Sequence, residues 1–246
     1  MQQTFELGDL PERLESARSV FVLTGSGISS ESGLPTFRGV GGLWRTHRVE
    51  ELASPAGFAR DPELAWTWYG ERRRAHSGVA PSAAHVALAR IEARTADFTL
   101  ATQNVDSLHL RAGSRNVLEL HGTMRAAKCN RCDARRPLDD VLGDIERDGI
   151  DAIEHACGGK WRPDIVWFGE ALPRAAFDAA FEAAARADLV LVVGTSAVVQ
   201  PAASLASKRV ARGYVVEINP EDTALSAEVD RTIRARASDV LQALAP

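Results

Sequence analysis

Apolar and polar positions along the chain fall into two kinds of segment. Short, largely apolar runs recur at residues 19–23 (SVFVL), 98–102 (FTLAT), 116–120, 163–168, 188–193 (DLVLVV) and 214–218. Runs of this length read as strands buried on both faces, the pattern of a parallel sheet. Between them, residues 10–17, 81–94, 174–186 and 201–212 read as helices, and Gly213 offers a stop for the last. Alternation at this spacing predicts βαβ units. Two regions break it. Residues 44–75 hold three of the five tryptophans, and residues 129–160 are polar, charged and cysteine-bearing, as an inserted module would be.

Open α/β sheets bind ligands outside the carboxyl ends of their strands. Here five of the six predicted strands run into polar residues: Gly25-Ser26-Gly27, Gln103-Asn104-Val105-Asp106, His121, Gly194-Thr195-Ser196 and Asn219. The first of these ends opens residues 24–39, TGSGISSESGLPTFRG. Glycine turns after a strand present backbone N–H groups to phosphate, but the third glycine of the dinucleotide fingerprint is displaced to Gly33. A loop carrying Phe37 and Arg38 follows where a dehydrogenase would run straight into a helix.

Composition changes this picture little. The chain has 246 residues, 45% hydrophobic and 25% charged, with a formal net charge of -4. That balance offers no electrostatic case for a nucleic-acid partner, and no apolar stretch nears the ~20 residues that cross a bilayer. The first residues lack the basic-then-apolar pattern of a secretory signal, so a cytoplasmic setting is expected; the sequence does not fix the oligomeric state, and a monomer is the expectation adopted. Three cysteines, Cys129, Cys132 and Cys157, cannot all pair with one another.

Taken in order, TGSGISSESGLPTFRG, TQNVDSLH, LELHG, the cysteine module, RPDIVWFGE, VVGTSAVVQP and EINPED resemble the sirtuins, NAD-dependent protein deacylases, over nearly the whole chain. The resemblance implies a Rossmann-like parallel sheet with helices on both faces (1–40, 80–125 and 165–246). A helical insertion (41–79) and a small zinc-ribbon-like module (126–164) would complete one catalytic domain. It implies that NAD is consumed. Gly25, Ser26, Gly27, Glu31, Thr36, Phe37, Arg38, Trp44, Gln103, Asn104, Asp106, Gly194, Thr195, Ser196, Asn219, Glu221 and Ala237 would line its site. His121 would be the general base, and Asn104 would join the chemistry. Val166, Trp167, Phe168, Gly169 and Glu170 would form a strand that pairs with an extended acyl-lysine peptide. Serine at position 26, where the family usually has alanine, is small enough to keep NAD binding.

Residues 65–73 address the acyl group. Tyr69 and Arg72 stand three apart and share a helix face. A phenol beside a guanidinium makes a carboxylate receptor, and this pair resembles the sirtuin branch that removes succinyl and malonyl groups. The metal site departs from the family's two cysteine pairs. Only Cys157 follows Cys129 and Cys132; Glu154 stands at the expected partner position, with His155 beside it. A Cys3His or Cys3Glu zinc site is chemically possible, as is no metal at all; the reading adopted is structural zinc with His155. An ADP-ribosyltransferase would use the same NAD activation, and a non-catalytic NAD sensor would lack His121 or the Asn-x-Asp; all three residues are present.

Overall fold

The computed structural model describes residues 5–36 and 49–245. Phe37, Arg38 and Trp44 lie outside the described residues. Six parallel strands form the large sheet: β1 (Ser19–Thr24), β2 (Asp97–Thr102), β3 (Val117–Glu119), β7 (Leu189–Val193), β8 (Tyr214–Ile218) and β9 (Arg231–Ile233), in the order β3-β2-β1-β7-β8-β9. β1 therefore sits where the strand order reverses, and a crevice opens at its carboxyl end. β7 is buried at every residue, which a parallel strand covered on both faces requires.

Helices α1 (Leu10–Ser16), α6 (Ala83–Arg94) and α10 (Ala237–Leu244) cover one face through Leu14, Leu88, Ile91 and Leu241. On the other lie α9 (Arg174–Arg186) and a 3-10 turn at Ala202–Ala206, which pack small alanines against Phe21 and Val190. The predicted helix over 201–212 is reduced to that turn. Ser204 and Ser207 hydroxyls donate to the carbonyls of Pro201 and Ser204, and such local bonds compete with a helical ladder.

A third core belongs to the smaller part of the molecule. A five-residue helix, α2 (Ser26–Ser30), follows β1, and the chain from residue 49 forms α3 (Val49–Leu52), α4 (Pro55–Arg60) and α5 (Pro62–Ser77). Caps set their starts: Gly57 N–H donates to Ser54 Oγ and Leu64 N–H to the Asp61 carboxylate. After α7 (Leu108–Arg111), the cysteine region contributes β4 (Gly122–Cys129), β5 (Arg135–Pro137), α8 (Leu138–Asp148) and β6 (Trp161–Ile165). These strands make a separate antiparallel sheet, β5-β4-β6. Trp66, Trp68, Tyr69 and Trp167 pack with Met124, Val141 and Ile153 in its core. Among the described residues, no helix is long and apolar enough to cross a membrane.

Candidate active site

A cavity of about 830 Å³ opens beyond the carboxyl ends of β1, β2, β7 and β8, against the smaller part of the molecule. Its base admits only glycine. A Cβ on Gly27 would lie 2.7 Å from the Gly194 carbonyl oxygen, and one on Gly25 would lie 2.7 Å from Thr195 Cβ. The two loops are also stitched together, Gly25 N–H donating to Val193 O at 3.1 Å and Gly27 N–H to Gly194 O at 2.8 Å. Ser26, Glu31 and Thr36 continue the wall from the first loop, Thr195 and Ser196 from β7, and Asn219, Glu221 and Ala237 from the far side. Glu31 accepts from Arg236 Nε at 3.2 Å and Ser238 N–H at 3.1 Å, tying α2 to the start of α10.

Gln103, Asn104 and His121 line the opposite wall. Asn104 is buried, and its Nδ2 donates to Gly25 O at 3.0 Å and Ser29 Oγ at 3.1 Å. Both amide protons are thereby used, leaving Oδ1 as the side chain's remaining polar atom. Asp106 stands behind this wall rather than on it. Its carboxylate accepts from Ser29 Oγ at 2.7 Å and Leu108 N–H at 2.9 Å, and burial raises its pKa.

His121 occupies the two-residue link between β3 and β4. Its Nδ1 lies 2.9 Å from the carbonyl oxygen of Gln103. A carbonyl only accepts, so Nδ1 carries the proton and Nε2 keeps its lone pair. Burial lowers the His121 pKa more than the Gln103 bond restores it, so the ring is neutral at pH 7. This is the electronic state of a general base.

The segment after β6 differs from the predicted peptide-pairing strand. β6 ends at Ile165, and residues 166–170 leave the ladder. Val166 N–H donates to His121 O and Phe168 N–H to Ala53 O, both at 2.9 Å. Trp167 N–H donates to the Glu170 carboxylate at 2.8 Å, and Gly169 (φ +87°) turns the chain. These donors are spent internally, so a peptide pairing here meets chiefly carbonyls. Arg162, 3% exposed, ties the segment down: it pairs with Glu170 at 2.5 Å, donates to Ile165 O at 2.6 Å and lies 3.3 Å over the Trp167 ring. Val166, Trp167, Phe168, Gly169 and Glu170 all line the cavity.

Tyr69 and Arg72 line it too, from α5. Tyr69 is buried and its hydroxyl accepts the Trp167 indole N–H at 2.8 Å. The hydroxyl's own proton remains for donation. Burial pushes the Tyr69 pKa up to about 12 and the Arg72 pKa down to about 10, so at pH 7 the phenol is neutral and the guanidinium charged.

Cys129, Cys132, Cys157 and His155 bring one donor atom each to within 4.8 Å of one another. Cys129 and Cys157 sulfurs are 3.5 Å apart, and His155 Nδ1 is 3.1 Å from Cys157 Sγ and 3.8 Å from Cys132 Sγ. The turn is cut to fit: a Cβ on Gly159 would lie 2.6 Å from Cys129 Sγ. Three sulfurs and an imidazole suit tetrahedral zinc. Glu154 instead reaches Lys160 at 4.0 Å.

Arg236, Asp222, Thr223 and the 198–201 loop also line the cavity. Residues 198–201 and Asp222 lie within the segments VVGTSAVVQP and EINPED but carry no assigned role there, and Thr223 and Arg236 carry no local motif. The partner that reveals Arg236, Glu31, is 205 residues away.

Comparison with known proteins agrees with this geometry. Residues 25–201 match the model of the Sir2 family. An NAD-dependent protein deacylase 1 of Pseudomonas aeruginosa is 50% identical over 215 residues, covering 85% of this chain and 86% of the relative. An NAD-dependent protein deacylase of Thermus thermophilus is 45% identical over 245 residues, covering 98% and 94%. Among solved structures, a Sir2 homolog–NAD complex superposes with a TM-score of 0.86 at 40% identity, covering 100% of this chain and 94% of its own. A Sir2–p53 peptide–NAD+ complex gives 0.86 at 31% identity, covering 97% of each. The chain belongs to the Sir2 family.

Proposed function

We propose that the protein removes acyl groups from protein lysines with consumption of NAD, releasing nicotinamide and O-acyl-ADP-ribose. The observation that carries this reading is His121, neutral with Nε2 bare, in one cavity with the glycine loops and with the Trp167–Glu170 segment. The relatives named for this activity, and the neighbours solved with NAD and peptide, support it. NAD, when bound, supplies a glycosidic carbon that exchanges nicotinamide for the acyl oxygen. Gly25, Gly27, Gly194 and Thr195 would bind the dinucleotide along the loops, with Asn219, Glu221 and Ala237 on its adenosine side. Asn104, held by Gly25 O and Ser29, would orient the nicotinamide end. His121 would take a proton from a ribose hydroxyl at Nε2 and return it to solvent.

The acyl group we assign to this pocket is an acidic one, succinyl or malonyl. Supporting this, Tyr69 retains a proton to donate and Arg72 a charge, side by side at the cavity wall. Zinc on Cys129, Cys132, His155 and Cys157 would hold the small sheet together without touching the chemistry. One peptide carrying acetyl- or succinyl-lysine, incubated with and without NAD, tests both claims. NAD-dependent loss of the succinyl group in preference to acetyl is expected. Equal or acetyl-preferring removal would refute the acidic pocket alone. Transfer of ADP-ribose to protein with neither acyl group removed would refute deacylation.

A further inference from the structure

Behind the Asn104 wall lie two histidines that the deacylation chemistry leaves unused. His85 on α6 is 0% exposed and His109 on α7 is 2% exposed. Their ring centroids are 4.6 Å apart at an interplanar angle of 56°. His85 Nε2 and His109 Nδ1 are both buried without a hydrogen-bond partner. Orphaned buried polar atoms are uncommon and call for a reason.

The neighbouring bonds fix where the protons are. Ser82 N–H reaches His85 Nδ1 at 3.2 Å. A backbone N–H only donates, so Nδ1 is bare and a neutral His85 carries its proton on Nε2. On the other ring, Nε2 is 2.9 Å from Thr24 Oγ1, whose own proton goes to Thr102 Oγ1 at 2.8 Å. His109 Nε2 must then be the donor, and Nδ1 is bare. One orphan is a donor and the other an acceptor, on facing rings. An added proton would set donor against donor at Ser82 N–H on His85, or leave a further buried donor without a partner on His109. Burial acts the same way, lowering both pKa values.

We propose that His85 and His109 are positioning residues: two neutral Nε2–H imidazoles, packed ring against ring, that lock the Thr24–Thr102 pair and through it Asn104. The last link is short. Thr102 Oγ1 also accepts the Asn104 backbone N–H at 3.1 Å, and the Asn104 side chain binds Gly25 O and Ser29. Thr24 and Thr102 are opposite one another in the β1–β2 ladder, so a rotation of either hydroxyl is felt at the ends of both strands. From His109 to the cavity wall the line thus consists of buried groups whose donors and acceptors alternate, and His85 joins it by ring packing.

Two measurements test this. In nitrogen-15-labelled protein at neutral pH, long-range imidazole spectra assigned with His85→Gln and His109→Gln should show both rings neutral with the proton on Nε2. A proton on Nδ1 of either ring, or a charged ring, overturns the proposal. In kinetics, His109→Phe keeps a ring but removes both nitrogens. It should lower kcat/KM for NAD roughly tenfold, the loss expected from one buried hydrogen bond, with KM for the acyl peptide changed less than about twofold. His109→Gln, which keeps a donor and an acceptor, should recover to within about threefold of the parent. A folded His109→Phe with unaltered NAD kinetics, or a Gln variant as impaired as Phe, overturns it. If His109→Phe does not fold, the spectra of the unsubstituted protein decide. The kinetic arm rests on the deacylase reading and the spectral arm does not, so their failures are distinguishable.

Discussion

Tyr69→Phe separates recognition of the acyl end from the rest of catalysis. The hydroxyl does two things: it receives the Trp167 indole N–H at 2.8 Å, and its remaining proton faces a carboxylate in the proposed complex. A hydrogen bond to a charged group contributes about 1.5–3 kcal/mol, which is about ten- to 150-fold in rate. The indole N–H, in a ring only 2% exposed, is left unpaired at about 1–3 kcal/mol of stability. For a chain of this size each kcal/mol lowers Tm by about 2–4 °C. The assay is kcat/KM at saturating NAD for one peptide sequence carrying succinyl- or acetyl-lysine, with a thermal melt of each protein. The succinyl-to-acetyl ratio should fall by at least about tenfold, and adding Arg72→Met should lower it further. An unchanged ratio with a lowered Tm would mean that Tyr69 is a packing residue, and the receptor argument would be wrong.

Other outcomes follow from the same geometry. Activity against pH should rise through a pKa below 6.5 and stay flat above it, because burial depresses the His121 pKa; a limb above 6.5 would contradict the neutral-base assignment. His76 and His85 are both pushed down to about 4 by burial, His76 also by Arg72 and Arg73. The folded state therefore holds fewer protons than the unfolded state between about 4 and 6.5, so stability is complete above that window and is lost as pH falls through it. Urea midpoints measured across this range should decline, and a flat profile would refute the buried neutral rings. Protein purified without chelator should carry one zinc per chain, and His155→Ala should lower both zinc content and Tm. Full zinc content in His155→Ala would point to a different fourth donor.

The sheet was legible because its strands are short apolar runs with polar ends, and 214–218 was read to the residue. The cavity wall was legible for the same reason: strand ends collect in one crevice whatever their helices do. Tyr69 and Arg72 could be paired because three residues on a helix return to one face. What stayed hidden depends on contacts that no window along the chain contains. The end of β6 at Ile165 is set by Ala53 and by Arg162 folding back on Glu170. Which of Glu154 and His155 faces the cysteines depends on a turn over 155–159: His155 N–H donates to Gly159 O, and Gly158 N–H to His155 O. The tautomer of His109 needs three elements at once, α7, β1 and β2.

The two residues between β3 and β4 have a consequence for how this protein can change over time. His121 is joined by main-chain bonds to its surroundings: its carbonyl holds Val166, and Gly122 faces Ile165 on the next rung of the β4–β6 ladder. The spacing between the proton acceptor and the Val166–Glu170 segment is then a property of backbone pitch. Side chains in the surrounding cores can drift, generation after generation, without retuning that spacing. Gly122 is the exception, since a Cβ there would meet the Asp164 oxygen at 2.1 Å. A lineage that alters the acyl receptor proposed on α5 can therefore leave the main-chain spacing around His121 unchanged.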